Sequence, residues 1–326
     1  MRALVVTNMW PSPQAPARGS FVRDQVAALR ALPGVEVEVF AFPPGGYARA
    51  ALELRRRHGG DDFDVVHAHF GLTAWPALAL RGAPHAVTLH GTDVRHPRSR
   101  HITRAALRFM DLVATVSAPL AQELDGGPGR RRSAGRRAVL PCGVDTTRFV
   151  PLPRAQARER LGLDPVEPCL LFPADPARAV KRADRAREVA GDTRLLTLGQ
   201  VEPADVPLWI NAANAVLVPS DAEGFGLAVL EALACDVPVL ATPVGAHPAA
   251  LAGIAGTLCA PYHSDTWRAA LAPHLASPDP RVGGRARAAS WSAEHMARRV
   301  VAAWSELTGA PVYSPTEAPV DGAVSV

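Results

Sequence analysis

Glu223 and Glu231 bracket the run Glu223-Gly224-Phe225-Gly226-Leu227-Ala228-Val229-Leu230-Glu231. The run follows an apolar, β-branched segment, Ala215-Val216-Leu217-Val218, and then Pro219-Ser220. That order reads as strand, turn, helix. Two glycines open the helix, and glycine lets a ligand approach the backbone closely. The free N–H groups and positive dipole of a helix start favour a phosphate there. Glu223 precedes the helix and Glu231 falls in its second turn. Carboxylates accept hydrogen bonds from paired hydroxyls, so one suits a ribose and the other a sugar. The bland alternative makes Glu231 an exposed helix glutamate and Glu223 a cap.

A second signal is compositional. Of 35 basic residues one is lysine, Lys181, and the rest are arginine. Lysine is a compact point charge on a thin stem, whereas arginine is a wide planar fork. A crowded phosphate pocket is one place where that difference decides. Chance survival on a solvated face is the competing explanation. His67, His69 and His90 form a third group, open to reading as a metal cluster. Histidines at strand ends are more often satisfied by hydrogen bonds, and no metal is expected.

The 326 residues carry a formal charge of +4 and are 48% hydrophobic, enough for two domains with a large core. No apolar run is long enough to span a membrane. The four cysteines (Cys142, Cys169, Cys235, Cys259) are far apart and fit no metal or redox spacing. They suit a reducing interior, so a cytoplasmic location is expected. The stretch Arg130–Arg137 holds five arginines and no acid. It reads as a mobile loop, or as a peripheral contact with the inner face of the plasma membrane. Nucleic acid is not expected, because no interleaved aromatics accompany these residues. The first strand runs into Asn8-Met9-Trp10-Pro11 without Gly-x-Gly-x-x-Gly, which argues against a nicotinamide enzyme.

These residues need elements to hold them. Leu4–Thr7, Val35–Phe42, Val65–Ala68, Val87–Leu89 and Leu112–Val116 read as strands, with helical patterns between them. One such pattern is Ser20–Leu32, with Ser20 as N-cap. Cys169–Phe172, Leu195–Leu198, Ala215–Val218 and Val237–Leu240 repeat the scheme. Only a short Pro-containing segment separates Leu198 from the helix near Trp209, so a β-α unit is expected to be missing there. Alternation of strand and helix implies parallel sheets covered on both faces. The fold class is α/β, with two doubly wound domains: residues 1–150, and residues 151–309 with a terminal amphipathic helix, Ser292–Leu307. Residues 310–326 read as a disordered tail. Ligands bind at the carboxyl ends of such strands, in the cleft between the domains.

The segment from Glu223 through Pro238-Val239-Leu240-Ala241-Thr242 to Gly245 resembles the donor-binding segment of retaining GT-B glycosyltransferases, most closely glycosyltransferase family 4. Glutamates at this spacing are the signature of that family. Thr88-Leu89-His90-Gly91-Thr92-Asp93 resembles its His-Gly-x-Asp loop, and His67-Ala68-His69 the strand before that loop. Pro141-Cys142-Gly143-Val144-Asp145-Thr146-Thr147-Arg148-Phe149 resembles its interdomain element, with Cys142 in place of the usual asparagine. Arg18-Gly19-Ser20-Phe21-Val22 resembles its N-terminal glycine loop. The matches span roughly residues 1–307.

The resemblance implies a GT-B fold: two Rossmann-like domains facing a cleft, the second shortened, with the C-terminal helix crossing back to the first. It implies transfer of a hexosyl group from an NDP-sugar, with retention of configuration, to a cell-envelope glycan, lipid-linked or small-molecule acceptor. His90, Lys181 and Glu223 are the implied catalytic residues. Gly19, Arg178, Gly224, Phe225, Gly226 and Glu231 are the implied donor contacts. Trp10, Asp93 and Arg95 fall on the acceptor side. In the family an arginine just after the strand precedes the lysine. Here Asp175 occupies that place, and Arg178 or Arg182 must substitute. No cofactor and no metal are implied. The departures at Asp175 and Cys142 keep open a catalytically inactive GT-B subunit that binds sugar nucleotides. A sugar-nucleotide epimerase is the weaker alternative.

Overall fold

The computed structural model describes residues 1–126, 135–199 and 201–310. Two parallel sheets carry the chain. The first has six strands: β1 (Arg2–Thr7), β2 (Glu36–Ala41), β3 (Val65–His69), β4 (His85–Leu89), β5 (Leu112–Thr115) and β6 (Arg136–Val139), in spatial order β2-β1-β3-β4-β5-β6. The second has five: β7 (Cys169–Phe172), β8 (Arg194–Thr197), β9 (Ala215–Val218), β10 (Val239–Ala241) and β11 (Leu258–Cys259), in order β11-β10-β9-β7-β8. Helices cover both faces, so the central strands are buried throughout. Leu4, Val5 and Val6 in the first sheet and Leu170, Leu171 and Val216 in the second have no exposed surface. Both sheets reverse strand order next to their first strand, between β1 and β3 and between β7 and β9. A parallel sheet opens a crevice at such a reversal, beyond the carboxyl ends of the strands.

Three details differ from expectation. The helix over residues 20–30 starts at Ser20, and its N-cap is Gly19 in the left-handed region. Ser20 makes no capping hydrogen bond, because the cap position lies one residue earlier. Arg136 and Arg137, expected in a mobile loop, form the edge strand β6 against β5. Their side chains pair with Glu306 at 2.7 Å and Asp125 at 3.6 Å. Arg130, Arg131 and Arg132 lie outside the described residues. The two-residue strand β11 is the further addition. The second sheet ends at β8, and the described residues from 198 to 205 add no strand beyond it, as a missing β-α unit requires. The tail from 311 onward lies outside the described residues.

The chain crosses between the sheets twice, and the crossings are hydrogen-bonded to each other. Val144 N donates to Trp291 O at 2.9 Å, and Ala293 N donates to Val144 O at 2.9 Å. The helix Ala293–Thr308 then packs on the first sheet, capped by the Ser292 hydroxyl. Ala297, Val300, Val301 and Trp304 join Val22, Val26 and Leu29 in one core. Arg285 ties the second crossing to the first through the carbonyls of Thr146 and Phe149. No helix among the described residues is long and apolar enough to cross a membrane.

Candidate active site between the two sheets

The loop after β9 turns Glu223 into the crevice at the β7/β9 reversal. Glu223 is 8% exposed. Its Oε1 accepts from Lys181 Nζ at 2.6 Å and from the Ser220 hydroxyl at 2.7 Å. Burial alone would raise the pKa of this carboxyl. The adjacent Lys181 charge and the two hydrogen bonds outweigh burial and hold it below the usual value. Lys181 ends a 3₁₀ turn, Ala179–Lys181, that follows β7. Asp221 N donates to Val180 O at 2.9 Å, stitching that turn to the β9 loop. A lysine from one strand end and a glutamate from the next therefore meet across the crevice.

Gly226 caps the helix Leu227–Ala234 with φ 99°. The first N–H groups of that helix have no intrahelical acceptor. The Phe225 ring turns away into the core, 5.4 Å from Trp291. Glu231 lies on the same helix, partly buried rather than exposed. Burial pushes its pKa up to about 7; Asp24 adds to the rise, while Arg148 and Lys181 oppose it. Asp24, from the first domain, pairs with Arg148 at 2.8 Å.

His90 comes from the opposite sheet, just beyond β4. It is the end of a stack of three imidazoles. His67 and His69 lie 5.0 Å apart at 16°, and His69 and His90 lie 5.3 Å apart at 27°. Hydrogen bonds assign their tautomers. The Trp304 indole can only donate, and it donates to His67 Nδ1 at 2.9 Å. His67 therefore carries its proton on Nε2 and donates to the Thr88 hydroxyl at 2.8 Å. Gln25 Nε2 faces His69 Nε2 at 3.4 Å, and His69 Nδ1 lies 3.0 Å from His90 Nε2. With His69 donating from Nδ1, His90 accepts on Nε2 and carries its own proton on Nδ1. Burial holds all three below the usual histidine pKa, His69 at about 4. For His67 and His90 the neighbouring imidazoles add to the effect. His90 is thus a neutral donor.

The two sheets touch at this point. A Cβ on Gly224 would lie 1.9 Å from His90 O, so only glycine permits the approach. Ser117, after β5, donates to Gly224 O at 2.6 Å. Arg95 donates to Glu223 O at 3.0 Å and is also paired with Glu123 at 2.6 Å. Arg95, placed on the acceptor side from sequence, is therefore a clamp between the domains. Asp93 is also turned inward. Its buried carboxylate accepts from the backbone N–H of His90, Gly91 and Gly71, fixing the histidine loop. Burial raises its pKa against those three bonds. Trp10 is half-buried beside the first core. Gly19 meets the Met9 carbonyl, which a Cβ would approach to 2.1 Å, so its own chain already requires glycine there. Arg182 is committed to Asp184 at 2.6 Å and Asp221 at 3.2 Å. Arg178 is exposed and has no ion pair among the described residues.

Residues 2–148 match the family described as Glycosyltransferase Family 4, and residues 173–277 match Glycosyl transferases group 1. A D-inositol 3-phosphate glycosyltransferase of Mycolicibacterium paratuberculosis is 34% identical over 355 residues, covering 93% of this chain and 78% of that protein. The same-named protein of Actinosynnema mirum is 30% identical over 321 residues, covering 79% and 76%. The chain belongs to glycosyltransferase family 4. The sucrose-phosphate synthase of Thermosynechococcus elongatus shares its fold, with a TM-score of 0.75 at 20% identity, covering 95% of this chain and 100% of that one. Anabaena HepE, solved with UDP and glucose, superposes with a TM-score of 0.69 at 16% identity, covering 93% and 99%. The protein is thus a GT-B glycosyltransferase.

Within this family member, Lys181 and Glu223 are brought into contact, and His90 is brought to the same junction. Glu231 sits one helical segment away. Sequence reasoning missed Ser117, Ser220, Gln25, Arg148 and Trp304. Ser117 and Ser220 each stand where a buried strand ends, and a polar residue at that place is the available signal. Trp304 carries no local signal at all, since its partner is 237 residues away.

Proposed function

We propose that the protein transfers a hexosyl unit from a nucleoside diphosphate sugar to an anionic acceptor with retention of configuration. The observation that carries this reading is the Lys181–Glu223 pair at a helix start, directly beneath the His90 loop of the other domain. In the proposed step the bond from sugar C1 to the β-phosphate oxygen breaks. The acceptor hydroxyl bonds to C1 on the same face, and its proton passes to the departing diphosphate oxygen. Negative charge grows on the diphosphate, where Lys181, Arg178 and the helix start at Gly224–Gly226 are suited to stabilise it. Glu223, anionic and oriented by Ser220, accepts hydrogen bonds from the sugar. His90 donates to the sugar from Nδ1. Glu231 holds the ribose. No metal or cofactor takes part.

The acceptor is proposed to be a phosphorylated small molecule, a lipid-linked sugar or a cell-envelope glycan. Arg98 and Arg100, exposed beyond the Arg95 clamp, favour an anionic group. The curated relatives named above take their name from a phosphorylated acceptor, D-inositol 3-phosphate. The test is a thermal-shift screen over UDP-, GDP- and ADP-sugars. It is followed by turnover assays with phosphorylated acceptors and lipid extract, and by NMR of the product anomer. One donor is expected to stabilise the protein and to give a retained anomer. Binding without turnover would support the inactive-subunit reading instead, and an inverted product would overturn the mechanism.

A further inference from the structure

The helix Ser99–Ala106 and the 3₁₀ turn Leu107–Phe109 that continues it bury Thr103, Ala106 and Leu107 in the first domain. The flank beside them is not the polar one a solvated helix presents. Ile102 is 51% exposed and Phe109 58%, and Trp75 of the neighbouring segment is 38% exposed. The three form one patch. The Trp75 indole donates to Ile102 O at 3.2 Å, and its ring lies 6.1 Å from that of Phe109. A single exposed hydrophobe is ordinary, but a cluster with two aromatic rings points to a partner.

The charge around the patch says which partner. From Val94 to Met110 the chain carries Arg95, Arg98, Arg100, Arg104 and Arg108 and no acidic residue. Arg95 is held by Glu123. The other four have no carboxylate partner among the described residues. A second copy of this chain docking face to face would bring these cations against their own counterparts. An anionic lipid surface accepts both components at once: the phosphates meet the guanidinium groups, and the headgroup layer receives the apolar side chains.

We propose that this face seats the enzyme on an anionic membrane, with Trp75, Ile102 and Phe109 entering the headgroup layer and Arg98, Arg100, Arg104 and Arg108 meeting lipid phosphates. At its Phe109 end the surface borders β6, where Arg136 and Arg137 are already ion-paired and so are not among the cations assigned to lipid. It adjoins the turn that carries the Arg95 clamp, which would bring a lipid-borne acceptor to the first-domain side of the cleft.

The test is co-sedimentation of the full chain with vesicles, comparing phosphatidylglycerol mixed into phosphatidylcholine with phosphatidylcholine alone. It needs no substrate, so it stands or falls apart from the proposed reaction. Binding is expected to the anionic vesicles only and to weaken with salt. Arg104→Gln combined with Arg108→Gln is expected to weaken partitioning about 30-fold, since each cation contributes about 1 kcal/mol near such a surface. Ile102→Ser with Phe109→Ser removes the apolar component and is expected to abolish sedimentation at physiological salt, with an unchanged circular dichroism spectrum. The proposal is overturned if the chain ignores anionic vesicles at low salt. It is equally overturned if both variants bind like the parent, which would locate the contact elsewhere. A concentration-dependent dimer that Phe109→Ser dissolves would assign the face to a second copy instead.

Discussion

Replacing Lys181 separates charge from shape. Its Nζ lies 2.6 Å from Glu223 Oε1, and the same oxygen takes the Ser220 hydroxyl at 2.7 Å. Lys181→Met leaves an 8% exposed carboxylate with one neutral donor. Removing one partner of a buried ion pair costs roughly 3–5 kcal/mol. The Lys181 side chain keeps 17% of its exposure, which favours the lower end, about 3 kcal/mol. Lys181 holds the Glu223 pKa below its ordinary value. The stabilisation is therefore present above the unfolded carboxyl pKa and is lost as pH falls through the folded one. The methionine variant should show its full deficit near about pH 7 and a smaller one toward about pH 4. Adding Glu223→Gln should recover most of it. Lys181→Arg keeps the charge and should change stability by less than about 1 kcal/mol. Its planar fork cannot place a compact charge on one crowded oxygen, so kcat/KM should fall at least about tenfold, or about 1.4 kcal/mol of transition-state stabilisation. Urea unfolding at both pH values and steady-state kinetics check the two components. An arginine variant with parental kcat/KM would refute the geometric reasoning. A methionine variant as stable as the parent at neutral pH would refute the electrostatic reasoning.

Three further predictions concern the same cleft. The stacked histidines are neutral when folded, so stability should decline as pH falls from about 6.5 toward the His69 value of about 4. His69→Leu should flatten that decline, and nitrogen-15 NMR should find His90 protonated on Nδ1, with an Nε2 proton contradicting the relay. Gly224→Ala drives a Cβ to 1.9 Å from His90 O. It should open the cleft, seen as a larger radius of gyration by X-ray scattering, and cost about 100-fold in turnover. Glu231, with its pKa near about 7, should hold the donor more tightly as the carboxylate, so donor affinity should weaken as pH drops from about 8 to 6. Glu231→Gln should remove that dependence in calorimetric titrations.

Much of the fold was legible because central parallel strands, buried on both faces, read as unbroken apolar runs such as Leu4–Thr7 and Ala215–Val218. Strand β6 was not legible. An edge strand leaves side chains in water, so Arg136 and Arg137 look like loop residues until their pairing with β5 is seen. Strand β11 spans two residues, too short for any periodicity. In the site, the Glu223–Glu231 spacing is a local property of one turn and helix and survives as a pattern. Partners of charges are tertiary. The sequence places Asp93 and Arg95 beside the histidine loop but does not say that one carboxylate turns inward onto backbone amides while the guanidinium reaches Glu223 O, 128 residues away.

The last helix gives the molecule an order of assembly. A ribosome completes the first sheet at Val139, yet the indole that sets the His67 tautomer arrives at residue 304. Until then the groove made by Val22, Val26 and Leu29 lacks Val300, Val301 and Trp304. The site is therefore completed last, and a chain that stops before residue 293 lacks both the indole that sets the imidazole stack and the side chains that close this groove.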